Sequence, residues 1–334
     1  MIRIMKPGLL TSIQDLGRYG YQKYGVISSG VMDQLAHRIA NLLVGNSENE
    51  ATLELTLIGP ALRFERDTLI SICGADLSPA IDGIPVQLWK TIYIKSGSLL
   101  TFGRNQSGCR AYIAAAGGFS VPDVMGSKST YLRAGIGGFE GRSLNTGDEV
   151  LFGMQSSLSA KMMDYLRKQQ TDQPFSQLDW SVSSGLISFY KSNTKIRIIK
   201  GRQFDWFTKD SQKAFFSVPF QVTPQSDRMG YRLNGSKLEV ENKAEMISEA
   251  VSFGTVQVPS NGSPIVLMAD RQTTGGYPKI GQVPAVDLPL LAQAKPGDSL
   301  AFEEIPLEAA QNLYLKREQE IQHLKQGIIL KFTS

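Results

Sequence analysis

Residues 111–119 and 269–277 are two copies of one pattern, and the second copy is polar where the first is apolar. The first reads Ala-Tyr-Ile-Ala-Ala-Ala-Gly-Gly-Phe and the second Ala-Asp-Arg-Gln-Thr-Thr-Gly-Gly-Tyr. Each is followed by a Pro, a Gly and a turn into a closing strand. The closes are Asn145-Thr146-Gly147-Asp148-Glu149-Val150-Leu151-Phe152 and Lys295-Pro296-Gly297-Asp298-Ser299-Leu300-Ala301-Phe302. Aligned on the glycine pairs, Ile113-Ala114-Ala115-Ala116 faces Arg271-Gln272-Thr273-Thr274. One copy has gained a cation, an amide and two hydroxyls that a plain corner does not need.

Other pieces recur in the same order. Asp82-Gly83 and Asn234-Gly235 both suit two-residue hairpins, where both central residues take positive φ. Asp76 and Asp227 precede them at similar distance. Ile196-Arg197-Ile198-Ile199-Lys200 echoes Ile2-Arg3-Ile4-Met5-Lys6. These pairings indicate a tandem duplication of one mostly-β unit, with too few copies for a solenoid. Coincidence is the alternative, because Gly-Asp turns recur in any β protein.

Between Thr52 and Phe152 short apolar runs alternate with Gly, Pro and Asp: Leu69–Cys73, Thr91–Ile94, Leu99–Phe102 and Ala111–Ala115. That spacing predicts a barrel or sandwich rather than a doubly wound sheet. Residues 2–13 read as an opening strand. A helix follows, with Met32, Leu35, Ile39 and Leu42 at helical spacing, Ser28 or Ser29 as cap and Gly45 as stop. The Ser-, Gln- and Lys-rich stretch 156–194 reads as a linker with a short helix near Ala160–Lys168. After Pro306, apolar residues at steps of three and four predict a C-terminal amphipathic helix. The expected division is 1–155, 156–194, 195–305 and 306–334.

A chain of 334 residues supports two ordinary cores. The net charge of +4 without a Lys/Arg run argues against nucleic acid. No apolar stretch approaches a membrane span, and the N-terminus lacks the pattern of a signal peptide. Cys73 and Cys109 sit in strand-like runs and read as buried free thiols of a cytoplasmic protein. With only two histidines, His37 and His323, in separate predicted helices, a His-based nucleophilic engine is disfavoured. No Cys/His cluster has zinc spacing, so no metal site is expected. There is no Gly-rich phosphate loop ending in Gly-Lys-Ser/Thr, and no biotinylation site.

The segment Asp270-Arg271-Gln272-Thr273-Thr274-Gly275-Gly276-Tyr277-Pro278 follows the apolar run Ile265–Met268. Its glycines let backbone amides approach a ligand, and Arg271 offers a planar fork for a carboxylate. The alternative is a structural turn in which Arg271 pairs with Asp270 or a neighbour. Asp227-Arg228, before Met229-Gly230, is either a surface ion pair or a carboxylate for proton transfer. Gln14 and Arg18 open a loop rich in Tyr19, Tyr21 and Tyr24. The Gly-rich stretch Gly137-Gly138-Phe139-Glu140-Gly141 reads as a tight corner.

Pro7–Arg18, Ser29-Gly30-Val31-Met32-Asp33, Gly74-Ala75-Asp76, Tyr112–Phe119, Ser226–Gly230 and Asp270–Pro278 together resemble the allophanate hydrolase subunit 2-like family, also called biotin-dependent carboxyltransferase-like. That family includes the C subunits of 5-oxoprolinase and the KipI-antagonist (KipA) proteins. The resemblance covers nearly the whole chain. It implies a mainly β fold of two tandem cyclophilin-like β-barrel units with a few helices. It implies one component of an ATP-dependent 5-oxoprolinase that converts 5-oxo-L-proline to L-glutamate. The implied partners are a subunit 1-type protein (KipI-like, the B component of 5-oxoprolinase) and a third polypeptide (the A component). Two alternatives come with it: a binding protein that antagonises a kinase inhibitor, and a carboxyltransferase subunit that receives carboxybiotin. Joining motif and residue chemistry, Asp227, Arg271, Thr273 and Thr274 are the candidate catalytic residues. Arg228, Gln272, Gly275, Gly276, Tyr277, Gln14 and Arg18 are the candidate substrate-binding residues.

Overall fold

The computed structural model describes every residue except 170, 171, 188, 189, 191–194, 242–245 and 334. It is mainly β, and the chain divides into two compact units. The first comprises Met1–Arg18, Asp33–Tyr190 and Gln319–Ser334; the second comprises Tyr19–Met32 and Lys191–Glu318.

The first unit is a sandwich of two six-stranded sheets. Where the sequence predicts one strand over 2–13, two form, Ile2–Lys6 and Leu10–Gln14. Pro7 cannot donate to a ladder and Gly8 takes φ 73°, so the run breaks there. Ile2, Ile4, Leu62 and Leu100 of one sheet share a core with Leu53, Ile70, Ile92 and Ile113 of the other. Alternation along Thr68–Asp76 puts Ile70 and Ile72 into that core. The helix Gln34–Leu43 packs against this strand and Ser107–Ala115.

That helix is capped by Asp33, whose carboxylate accepts the Ala36 N–H at 3.0 Å, and not by Ser28 or Ser29. Ser29 instead sits at φ 51°, in the left-handed region, and cannot serve as a cap, which needs extended backbone. Gly45 stops the helix at φ 75° as expected.

The stretch read as a linker is largely part of the first unit. A helix spans Ser157–Lys168 and buries Met162 and Leu166. The strand Phe175–Gln177 pairs with Thr91–Ile94. Its polar composition conceals an edge strand that needs only one apolar face. Residues 170, 171, 188, 189 and 191–194 of that stretch lie outside the described residues.

The second unit is built on an eight-stranded sheet. The strands at its two edges, Ser299–Leu300 and Phe302–Glu304, are separated by Ala301 alone. A sheet whose edges are consecutive in sequence must roll up, so it forms a nearly closed barrel. Its core gathers Ile198, Phe215, Phe220, Leu233, Val256, Val266, Ile280 and Phe302. A two-stranded ribbon, Glu249–Ala250 with Thr274–Gly275, stands apart from the barrel sheet. The helix Leu307–Thr333 ends the chain.

Some repeated devices are the same in both copies. Asn145 N–H reaches the Asp148 carboxylate at 2.7 Å and Lys295 N–H reaches that of Asp298 at 3.0 Å. Gly147 and Gly297 both take φ 93°. Others diverge. Asp82 and Gly83, at φ 48° and 82°, make the expected hairpin turn between Pro79–Ile81 and Ile84–Pro85. Asn234-Gly235 does not: neither residue has positive φ, and Asn234 ends the strand Gly230–Asn234. Likewise Gly117 and Gly118 take φ 87° and 66° whereas Gly275 and Gly276 are not left-handed, because Gly275 is a paired strand residue.

Candidate functional site

The polar copy of the repeat lies in the second unit. The loop 227–229 runs beside it, since Met268 N–H donates to Met229 O and Asp270 N–H donates to Arg228 O, at 2.9 and 2.7 Å. Arg228 is buried and forks onto Asp270, Nε to Oδ2 at 2.9 Å and Nη2 to Oδ1 at 3.1 Å; Nη2 also meets the Gly30 carbonyl. Asp227 is exposed, and its Oδ1 accepts the N–H groups of Met229 and Gly230. Asp76 does the same for Ser78 in the first unit. The Asp227–Arg228 sequence pair thus spreads into a turn-forming carboxylate and a buried fork.

Arg271 differs from its neighbour. It is half-buried, its Nε is enclosed without an acceptor, and no carboxylate among the described residues lies within ion-pair distance. Its Nη1 reaches only the Met268 carbonyl at 3.4 Å, and its guanidinium stands 5.9 Å from the Phe253 ring centroid. Burial lowers its pKa from the ordinary value, opposed by Tyr19 and Asp270 nearby. The alternative reading, an Asp270–Arg271 turn pair, is not what forms: Arg228 occupies Asp270.

Downstream, Thr273 accepts the Val251 N–H through its carbonyl at 3.1 Å. Thr274 and Gly275 pair with Ala250 and Glu249. Gln272, Thr274 and Tyr277 are exposed, while Thr273, Gly275 and Gly276 are half-buried. The motif therefore offers a cation with a spare donor, two threonines and a pair of glycines.

Three residues here escape a reading of the sequence. Lys279 lies one residue beyond the motif; its Nζ is 2.8 Å from Glu249, which Lys279 holds below its ordinary pKa. Gln257 packs beneath Gly275. Extending the motif by one residue finds Lys279, but Glu249 and Gln257 carry no local signal. A recess of about 360 Å³ lies here, lined by Lys279, Arg202, Ser252, Thr255 and Gln282 among others.

Gln14 and Arg18 belong to the first unit and are fully buried. Gln14 Nε2 donates to Ser12 Oγ and the Thr130 carbonyl, both at 3.1 Å. Arg18 donates to the carbonyls of Val124 and Ser129 at 2.8 and 3.0 Å. Between them, Asp15 accepts from Ser127, Lys128 and Ser129. The three polar residues fix the loop 124–130 from inside. Among the described residues, no cluster of His, Cys, Asp or Glu could hold a metal ion, and no helix is long and apolar enough to cross a membrane.

Residues 24–304 match the carboxyltransferase domain, subdomains A and B. The chain belongs to this carboxyltransferase-domain family. Among its relatives is the 5-oxoprolinase C subunit of Escherichia coli (strain K12), 40% identical over 310 residues that cover 93% of each chain. Another is the 5-oxoprolinase C subunit of Haemophilus influenzae, 37% identical over 95% of this chain and 96% of that protein. Of solved structures, the K. lactis urea amidolyase superposes with a TM-score of 0.85 at 28% identity, over 97% of this chain and 20% of that one. A carboxyltransferase-domain protein of this kind can thus stand as a chain of its own or as a small part of a much longer one.

Proposed function

We propose that this chain is one component of an ATP-dependent 5-oxoprolinase that opens 5-oxo-L-proline to L-glutamate. Its partners in a cytoplasmic assembly are a subunit 1-type protein, the B component, and a third polypeptide, the A component. The observation that carries the reading is Arg271: a half-buried cation without an acid among the described residues, set in a glycine-rich loop. Such a group suits the carboxylate of a small acid. The similarity to two 5-oxoprolinase C subunits over nearly their whole length supports it.

An unstrained lactam is resonance-stabilised, so its opening needs activation. ATP phosphorylates the carbonyl oxygen and leaves as ADP; water adds to the carbon, the ring C–N bond breaks as the nitrogen takes up a proton, and a second water releases phosphate from the resulting acyl phosphate. In this reading Arg271 holds the substrate carboxylate. Thr273, Thr274 and the Gly275-Gly276 amides stabilise developing negative charge, and Gln272 and Tyr277 rim the loop. Asp227, engaged by its own turn, remains a candidate base at the edge of the same loop pair. The donor set around Arg271 fits one anionic group rather than a triphosphate, so ATP is assigned to the partner polypeptides.

The urea amidolyase likeness favours a second reading, a carboxyltransferase subunit that receives biotin carried on another polypeptide. An assay of ATP-dependent glutamate release separates them. The isolated chain should be inactive, and addition of its partners should restore turnover. Robust turnover by the chain alone overturns the shared-site reading. An inactive assembly that still binds tightly points to the regulatory antagonist.

A further inference from the structure

Gln257 ends the strand Thr255–Gln257 and is 5% exposed, yet its Nε2 has no hydrogen-bond acceptor among the described residues. Buried amide donors are nearly always satisfied, so an orphan asks for a reason. The amide lies against Gly275: a Cβ built on that glycine would stand 2.3 Å from Nε2 and 3.0 Å from Oε1. Only glycine lets the ribbon settle so close. Arg271, on the same segment, carries a second buried orphan donor, Nε. Neither is relieved by Lys279, the register partner of Gln257, which is a donor itself and is held by Glu249.

The ribbon over Gln257 is slight. Among the described residues, two residue pairs and the bond from Val251 N–H to the Thr273 carbonyl hold the Thr274–Gly275 strand, while its partner strand is also tied to Lys279 and Arg202 through Glu249. Two unsatisfied donors therefore sit on and under a segment with few bonds holding it down.

We propose that Gln257 is a substrate-binding residue. Ligand entry lifts the Thr274–Gly275 strand, and a ligand oxygen takes the place of Gly275 against Gln257 Nε2. The inference rests on the 5-oxoprolinase reading and gives it a division of labour. The cation Arg271 takes the carboxylate, and the neutral amide of Gln257 takes the lactam carbonyl. A small cyclic amide bearing one carboxylate satisfies both donors at once.

The test uses Gln257→Met and the same-shaped Gln257→Glu in the reconstituted assembly, with melting of the chain alone as a second readout. Methionine removes the orphan donor, so the Tm of the chain should hold or rise by about 2 °C. At the same time KM for 5-oxoproline should rise about tenfold, the loss of one hydrogen bond to a polarised carbonyl. KM for ATP should stay within about twofold. Glutamate, which turns the donor into an anion, should weaken 5-oxoproline further. An unchanged KM for 5-oxoproline in both variants would make Gln257 a packing residue and overturn the proposal. A fall in Tm in both variants would overturn it too, by showing the amide held structurally. Absence of lactam turnover in the wild-type assembly removes the 5-oxoprolinase reading and this inference with it.

Discussion

Arg228 grips Asp270 through two hydrogen bonds, with both side chains 7% exposed, and so leaves Arg271 without the acid next to it in sequence. The grip also fastens the Gly30 carbonyl. Breaking a buried ion pair from one side strands the other charge. Arg228→Ala or Asp270→Ala should therefore cost the chain about 3–5 kcal/mol in denaturant unfolding. A loss below about 1 kcal/mol would show that water reaches the pair and replaces the missing partner.

Arg271→Ala should do the reverse. Its Nε has no hydrogen-bond partner among the described residues, so stability should change by less than about 1 kcal/mol. In the reconstituted assembly kcat/KM for 5-oxoproline should fall by about tenfold or more. Arg271→Lys should recover only part of it, because a point charge lacks the fork. Near wild-type kinetics for the alanine variant would end its role as carboxylate clamp.

Helix capping gives a sharper comparison, since the sequence points to the wrong residue. Asp33→Ala removes a carboxylate that accepts from Ala36 N–H, and should cost about 1–2 kcal/mol. Ser29→Ala should change stability by less than about 0.5 kcal/mol, because its buried hydroxyl has no hydrogen-bond partner among the described residues. Equal losses from the two substitutions would contradict the cap assignment.

His37 supplies the pH dependence. Burial pushes its pKa from 6.5 down to about 4, against the opposing pull of Asp15 and Glu54. The ring is neutral in the fold, with Nδ1 2.9 Å from Thr52 Oγ1 and Nε2 3.4 Å from Asn41 Nδ2. Between about pH 4 and 6.5 the unfolded chain binds the proton and the folded chain does not, so stability falls as pH falls through that window. The loss reaches roughly 3 kcal/mol at its lower end. His37→Gln should flatten that part of the stability–pH curve; an unchanged slope would assign it to other groups.

How much of this is written in the chain varies from residue to residue. Thr91–Ile94 and Leu99–Phe102 are apolar runs flanked by Lys, Ser and Gly, and their ends are legible to the residue. The mainly β fold follows from many such punctuated runs. The closing turns are legible because Gly and Asp do the same chemistry in both copies. Asn234-Gly235 misleads because its dipeptide preference is local, whereas pairing with Phe220–Val222 and Ile265–Leu267 keeps Gly230–Asn234 extended to its end. Arg271 stands out by its contrast with an apolar twin, yet its lack of an acid depends on Arg228, 43 residues earlier in the numbering. The burial of Gln14 and Arg18 is not visible in residue type. Gln257 is silent for the same reason: its meaning comes wholly from the glycine laid over it.

The two thiols carry a practical consequence. Cys73 and Cys109 are the only cysteines, both buried, on the paired strands Thr68–Asp76 and Ser107–Ala115 of the first unit. Burial also pushes the Cys73 thiol well above its ordinary pKa, which starves it of reactive thiolate. The second unit has no thiol at all. An alkylating reagent is therefore blind to the barrel that carries Arg271 and reads only the opening of the sandwich, a built-in reporter that needs no engineered label.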